Sequence, residues 1–490
     1  MKTLDMLAFD IGASNGRATI GHFDGTRLQI NELHRFENSY SEKNGVLYWD
    51  SSHLLDQLKL GFLSYKKLHG RKLSSFGIDT WGVDYGLLDK ADRLLNNPRA
   101  YRYATDYEME SVWDTVSKKA LFERTGIAAM NFNTIYQLHR RKMSCDSELT
   151  NAHTLLLMPD LLGFLLTGEK LSEYTNVTTT NLYSPNEKNW DFETITALSL
   201  PTHIFTAIDR AGNLRGHLLP SIMDELEINR VSFAAVGTHD TASAVAAIPG
   251  KDSFAFCSSG TWSLFGIETD TPIITDETFL SGFSNEGTVQ GGFRPLKNIM
   301  GLWLVQECRR EWTQNGERLS WDEIVAAASD SEAFRSIIDP DHAPFFNSGD
   351  MPKKIQKYCL DTGQPIPETK GQIARCIYES LALKYRWAVE RLEKIKGTSI
   401  NSLNIVGGGA LNRLLNQMAA DATKRTVIAG PTEGACIGNL LMQAVALGEL
   451  KNIEDIREVV KRSFKPEVFE PQNSNKWDDT YNRLTNYMAL

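Results

Sequence analysis

Two stretches of this chain repeat one pattern: an apolar strand, a polar glycine-containing turn and a second strand. The first is Met6-Leu7-Ala8-Phe9, then Asp10 to Gly16, then a strand through Ala18 and Ile20. Asp24-Gly25 signals a further tight turn into a third strand. The second starts past the midpoint, with Phe254-Ala255-Phe256-Cys257, then Ser258-Ser259-Gly260-Thr261, then Trp262 to Ile267. Just before it, Val231 to Val236 reads as a strand broken by Gly237-Thr238-His239-Asp240, and Thr241 to Ile248 as a small-residue helix. The echo points to two α/β halves of similar architecture, spanning 1–243 and 244–490. A length of 490 residues also calls for two to three domains.

Other segments fill in this frame. Phe76 to Leu88 reads as another hairpin, two apolar strands around a turn rich in Asp, Gly and Trp. His53 to Leu68 and Ser111 to Arg124 carry a helical period. Tyr174 to Trp190, dense in Thr and Asn, reads as loop or short strands. The last third is a βαβα run: strand Leu403 to Val406, Gly407-Gly408-Gly409, helix Leu411 to Ala422, strand Thr426 to Ala429, and a helix after Gly430-Pro431.

Charge and cysteine usage exclude several function classes. Lys+Arg of 52 against Asp+Glu of 61 leaves a net charge of −9, without the basic stripe that phosphate-backbone binding needs. There is no polybasic block for an anionic membrane and no apolar run long enough to span one. Asp5 and Asp10 interrupt the apolar opening, so no signal-peptide core is read there, and a cytoplasmic protein is expected. The 6 cysteines make no CxxC pair, which argues against a disulfide scaffold or a structural zinc site. HExxH and GxxxxGK[ST] are both absent.

The remaining motifs suit phosphate and sugar chemistry, although each also has a purely structural reading. Asp10 to Arg17 can cradle an anion on backbone N–H groups, with Arg17 adding charged donors and Asp10 holding a hydrated Mg²⁺; it can equally be an ordinary hairpin turn. Ser258 to Thr261 is its counterpart in the second half. Gly407-Gly408-Gly409 can let adenosine approach the backbone, or simply permit a tight strand-to-helix turn; the run GGGALN lacks the GxGxxG dinucleotide fingerprint. Asp240 can act as a general base or as a helix N-cap. Asp79 and Asp84 pose the same choice between ligand and scaffold. Asn298 opens an apolar, helix-like stretch that includes Gln306, either a cap and core face or a pair of amides for a ligand. Trp81 can floor a sugar site or fill a core.

Taken together, Asp10 to Arg17, Gly77-Ile78-Asp79-Thr80-Trp81-Gly82-Val83-Asp84, Thr238-His239-Asp240-Thr241-Ala242-Ser243-Ala244-Val245, Ser258 to Leu264, Leu296 to Trp303 and Ile405 to Gly409 resemble the FGGY carbohydrate kinases. Within that family, DTWGVD and HDTASAV resemble the branch that phosphorylates L-rhamnulose. The resemblance implies two ribonuclease-H-like domains of the actin/hexokinase/Hsp70 ATPase type with a cleft between them. It places sugar and the first phosphate loop mainly on the first domain and ATP mainly on the second. It implies ATP-dependent phosphorylation of L-rhamnulose at the C1 hydroxyl with Mg²⁺, by a monomer or small homo-oligomer that binds neither nucleic acid nor membrane. A neighbouring ketose such as L-fuculose, or an actin- or Hsp70-like ATPase without kinase activity, is the alternative. By the same resemblance Ala13, Ser14, Asn15, Gly16 and Arg17 form the first phosphate loop. Thr261, Gln306, Gly408 and Gly409 meet the nucleotide. Gly82, His239, Asp240, Thr241 and Asn298 meet the sugar, with Asp240 the base. Asn15 stands where the pattern has Ser.

Overall fold

The computed structural model describes residues 3–70, 72–103, 106–250, 253–472 and 476–488. The chain forms two compact units: Met1–Pro249 with Glu268–Pro295 and Gly434–Ser463, and Gly250–Ile267 with Leu296–Glu433 and Phe464–Leu490.

In the first unit, strands β1 (Leu4–Ile11), β2 (Asn15–Phe23) and β3 (Leu28–Glu37) form the expected antiparallel meander. β4 (Ser75–Thr80) lies parallel to β1. β5 (Leu214–His217) pairs antiparallel with β6 (Ser232–Ala234), which lies parallel to β4, giving the order β3-β2-β1-β4-β6-β5. The helix Ser51–His69 covers this sheet because Leu54, Leu58, Phe62 and Tyr65 recur at helical spacing and are all buried. Asp50 caps its start by accepting from the His53 N–H. Phe62 then links the layers, edge-on to Phe9 at 5.1 Å and to Phe76 at 5.3 Å.

The second unit repeats the order with new strands. β7 (Phe254–Ser259), β8 (Trp262–Gly266) and β9 (Phe293–Met300) form the meander. β10 (Ser402–Val406) and β11 (Thr426–Ala429) add in parallel and β12 (Glu467–Phe469) in antiparallel fashion, so neighbouring strands run β9-β8-β7-β10-β11-β12. The echo in the sequence is thus an echo of sheet topology. The helix Lys370–Lys396 packs here, opened by a Thr369/Gln372 capping box and closed by Gly397 at φ 75°.

Four local expectations are corrected. Phe76 to Leu88 is not a hairpin. Both edges of β4 are taken by β1 and β6, so Tyr85–Leu88 pairs instead with Thr154–Leu157. Ser111 to Arg124 is two helices, Tyr107–Trp113 and Lys118–Thr125, because the Ser117 side chain caps the second by accepting from the Ala120 N–H. Asn298 does not start a helix; it sits in β9 opposite Leu264, and the helix begins at Trp303. The tract Tyr174 to Trp190 has short strands only in its second half, where Tyr183–Ser184 pairs with Asn189–Trp190; its first half is a helical turn, Tyr174–Val177, continued by Thr178–Thr180. Thr175, Asn176, Thr178, Thr180 and Asn181 are each at most 1 % exposed, and the Thr178 and Thr180 hydroxyls donate to the Thr175 and Val177 carbonyls while Asn181 accepts from Thr125.

The helix Gly434–Ala446 docks on the first unit's sheet although it lies late in the chain. Asn439 donates to Asp79 at 2.6 Å, and Gln443 donates to the Leu7 carbonyl at 3.0 Å while accepting from Ser75 at 2.7 Å. A Cβ on Gly438 would lie 1.8 Å from the Ser243 carbonyl oxygen. Gly438→Ala is therefore expected to lower stability by about 1–3 kcal/mol or more, as overpacking does. Urea unfolding measures this, and a variant as stable as the parent contradicts the packing.

Candidate active site

In the first unit, ladder register places Asp10 of β1 opposite Arg17 of β2. The guanidinium closes on the carboxylate, with Nε at 3.0 Å and Nη2 at 2.6 Å from Oδ2. Between them runs a short turn in which Gly12 donates to the Asn15 carbonyl at 2.9 Å. Asn38 braces it, donating from its backbone to Ser14 and from its side chain to Gly12. Ala13 is half-buried, Ser14 and Asn15 face solvent, and Phe36 fills the space where a Cβ on Gly16 would sit. The five residues expected to form the first phosphate loop thus run from a braced turn, Ala13 and Ser14, into the start of β2 at Asn15, Gly16 and Arg17.

Asp79 lies beside Asp10 in parallel register, fully buried. Its Oδ2 accepts from Asn439 and its Oδ1 has no partner among the described residues. Burial, reinforced by Asp10, pushes its carboxyl well above the ordinary range.

Asp240 is the first residue of the helix Asp240–Ala246, and the cap position belongs to His239. Its Oδ1 accepts from the Thr241 N–H at 2.5 Å and from the Thr241 hydroxyl at 3.1 Å. The side chain is 34 % exposed, which leaves Oδ2 open to a ligand. Burial raises its pKa above the ordinary carboxylate value, opposed by His239 and Thr241 and helped by Asp10. A carboxylate fixed through one oxygen, open at the other and made more basic by its surroundings is equipped to take a proton from a hydroxyl.

The backbone that carries Asp240 rests on residues the sequence reading passed over. The buried carboxylate of Glu173 accepts from the backbone and hydroxyl of Thr238, at 3.1 and 2.8 Å, and from Thr175. The Thr175 hydroxyl also accepts from the His239 N–H at 3.2 Å. Thr179 packs against Gly82, where a Cβ would come within 2.8 Å of its Oγ1, and accepts from the Val83 N–H. The only signal was the density of hydroxyl and amide side chains without Gly or Pro.

Asp84 is scaffold. It is fully buried and accepts from Trp49 Nε1 at 2.7 Å, Trp81 Nε1 at 2.9 Å, the Tyr101 N–H at 3.1 Å and Gln137 at 3.1 Å. Trp81 is core, 4.4 Å from Trp49 between ring centroids. The turn before Asp84 is strained: Val83, a β-branched residue, has φ 72°, and Asp84 N–H donates to the Gly82 carbonyl two residues back.

The second unit gathers the other residues. Thr261 follows Gly260 between β7 and β8, and its hydroxyl donates to Gln306 Oε1 at 3.3 Å. Its carbonyl accepts from the N–H groups of Gly301 and Trp303. Gly407 and Gly409 pack on Ser259, with a Cβ on Gly409 only 2.0 Å from the Ser259 hydroxyl, so close packing explains these two glycines. Gly408 differs, since a Cβ there would meet nothing within 4 Å. Asn298 is carried by this unit, whereas Gly82, His239, Asp240 and Thr241 are carried by the first. Among the described residues, no three His, Cys, Asp or Glu side chains are grouped to hold a metal ion, and no helix is long and apolar enough to cross a membrane.

Burial pushes the Asp84 carboxyl up to about 6 from 3.8, even against its four donors. Between these values the folded state binds more protons than the unfolded one, so this group's contribution to stability falls as pH rises through the window. The stability of the parent relative to Asp84→Asn is expected to drop by on the order of 2 kcal/mol between about pH 4 and 6.5. Parallel urea titrations test this; a pH-independent difference contradicts it.

Comparison with known proteins matches this arrangement. Residues 5–247 fit the N-terminal domain of the FGGY family of carbohydrate kinases and residues 255–447 its C-terminal domain. The chain is 40% identical to the rhamnulokinase of Bacteroides thetaiotaomicron over 98% of this chain and 99% of that protein. It is 40% identical to the rhamnulokinase of Bacillus subtilis over 96% of each. Among solved structures it resembles a ligand-bound xylulose kinase from Lactobacillus acidophilus, with TM-score 0.82 at 14% identity over 99% of this chain and 98% of that one. It also resembles Plasmodium falciparum glycerol kinase with ADP, with TM-score 0.78 at 15% identity over 100% and 99%. The fold is that of the two-domain, actin/hexokinase-like sugar kinases, and the chain belongs to the FGGY family of carbohydrate kinases.

Proposed function

We propose that the chain transfers the γ-phosphoryl group of ATP to the C1 hydroxyl of L-rhamnulose. The observation that carries the reading is Asp240, anchored by Thr241 through Oδ1 with Oδ2 open. The similarity to the rhamnulokinases named above over nearly the whole chain supplies the substrate. As the C1 oxygen attacks the γ-phosphorus, its proton passes to Asp240 Oδ2; the new O–P bond forms while the bond to ADP breaks. Phosphoryl transfer needs positioning and charge neutralisation more than covalent help. The braced turn Ala13 to Arg17 is the first phosphate contact, with Arg17 already oriented by Asp10. Thr261, Gln306 and Gly408, the last with space above its Cα, take the nucleotide, and Gly409 shapes that turn. Gly82, His239, Thr241 and Asn298 take the sugar.

A magnesium ion suits Asp10, because Mg²⁺ keeps most of its water and needs only one or two carboxylates beside the phosphates. When bound it supplies positive charge to the phosphate oxygens.

ADP release measured side by side with L-rhamnulose, L-fuculose, D-xylulose and glycerol is expected to be fastest with L-rhamnulose. Preference for L-fuculose would reassign the substrate, and equal ADP release without sugar would reassign the chain to a free ATPase. Asp240→Asn is expected to lose about 10²–10⁴ in kcat while folding normally. Arg17→Ala is expected to raise KM for ATP more than KM for the sugar.

A further inference from the structure

Arg210 is fixed in place without a carboxylate to meet. Its guanidinium carbon lies 4.6 Å from the centre of the Tyr174 ring. It also lies over Gly291, where φ is 86° and a Cβ would come within 2.0 Å of Nη1, so only glycine leaves that seat open. Asp209, the acid beside it in sequence, is taken by Arg215 at 2.9 Å and by Asn213 at 3.0 Å. Among the described residues no Asp or Glu forms an ion pair with Arg210, which stays exposed.

Arg210 lines a cleft of about 780 Å³ that lies wholly within the first unit. Tyr183 and Phe293 give it buried ring surface, and Pro185, Pro272 and Ile274 add apolar walls. Lys188 reaches it from the turn between the strands Tyr183–Ser184 and Asn189–Trp190. This lysine has φ 52°, a left-handed conformation that Gly or Asn usually takes, and it too is exposed without an ion pair among the described residues. Two acids share the cleft: Glu123, 3.9 Å from Lys119, and Asp270, which is exposed and unpaired among the described residues.

We propose that this cleft binds a phosphorylated sugar, with its phosphate on Arg210 and Lys188 and its hydroxyls on Asp270, Asn186 and Thr271. Phosphate matches the guanidinium fork and the lysine point charge. A bare anion would face two carboxylates, whereas a sugar offers them hydroxyl donors and lays its C–H surface on the rings and prolines. The volume falls within the range of about 300–1,000 Å³ usual for small-molecule sites. None of these residues is among those placed on the reacting sugar or the nucleotide. They nevertheless reach Asp240, because Tyr174 lies between Glu173, which accepts from the Thr238 hydroxyl at 2.8 Å, and Thr175, which accepts from the His239 N–H at 3.2 Å. A phosphate on Arg210 weakens its hold on the Tyr174 ring. The polar core behind Asp240 tolerates little displacement, so occupancy lowers kcat without competing with either substrate. This last step rests on the kinase reading above.

Calorimetry on the full chain tests the site, with L-rhamnulose in excess to fill the reacting-sugar site. L-rhamnulose 1-phosphate, D-glucose 6-phosphate and inorganic phosphate are titrated separately. A sugar phosphate is expected to bind under these conditions, and Arg210→Gln to weaken it about tenfold or more, the loss of a charge-assisted hydrogen bond. The tighter of the two sugar phosphates identifies the source, the reaction's own product or another pathway's intermediate. No binding by either, inorganic phosphate binding as tightly as both, or unchanged binding in folded Arg210→Gln overturns the assignment. Turnover tests the coupling. At saturating L-rhamnulose and MgATP, the sugar phosphate is expected to lower kcat about fivefold or more in the parent, and to leave Arg210→Gln, whose basal kcat is that of the parent, unaffected. No fall in the parent, or an equal fall in the variant, overturns the link to Asp240. If Arg210→Gln does not fold, Lys188→Gln on its exposed turn carries both tests. A parent that binds the sugar phosphate but shows no sugar-dependent ADP release would refute the kinase reading and leave the cleft assignment standing.

Discussion

The carboxylate of Glu173 lies at 0 % exposure in the first unit, and the placement of the proposed base depends on it. Burying a carboxylate costs several kcal/mol unless hydrogen bonds replace its water. Here Oε2 alone gathers donors from the backbone and hydroxyl of both Thr175 and Thr238. Thr238 leads directly into His239 and Asp240, and its carbonyl accepts from the Thr80 N–H on β4 at 2.9 Å. One side chain therefore ties the tract from Tyr174, the end of β4 and the start of the Asp240 helix to a common point. The Glu173 N–H is in turn bonded to Asp160, which Arg215 holds at 2.7 Å, so the anchor is itself anchored. A polar core of this kind tolerates little slack, because any donor that drifts away leaves charge uncompensated in a low dielectric.

The two sheets share an order of strands and differ in what their first turns carry. In the first unit the turn after β1 is flanked by a charged pair, Asp10 and Arg17, with the buried Asp79 beside Asp10. In the second unit the turn after β7 holds a hydroxyl, Thr261, and the neighbouring glycines press their backbone onto Ser259. A duplicated scaffold has thus been loaded with opposite chemistry, charge in one copy and close backbone approach in the other.

Much of this was legible in the sequence because it is local. The first meander, the first two strands of the second, the polar turns between them, and the positions of Asp10, Arg17, Asp240 and Thr261 follow from alternation and turn residues, which act over fewer than ten residues. What was illegible depends on contacts between distant segments. Asn439 reaches Asp79 across 360 positions, and no local pattern announces it. Thr and Asn favour turns when water is their alternative, so a run of them reads as loop; only the finished core, with Glu173 and Asn181 supplying partners, makes burial favourable. Asn298 misled for a related reason: the apolar run after it suits either element, and the edge of β8 decided for strand. Glu286 and Arg294 fall in a stretch without a motif, and only the folded chain brings them beside His239.

The helix Gly434–Ala446 supplies polar stitches and close backbone contact to a sheet whose first strand was made more than four hundred residues earlier. A nascent chain emerging from the ribosome can assemble the opening meander at once, but it must wait until most of translation is finished before that sheet receives its last layer. During that interval Asp79 and Ser75 lack the amides that will later cover them. A chain cut short before residue 434 would therefore lack one layer of its first unit, together with the amides that pair with Asp79 and Ser75.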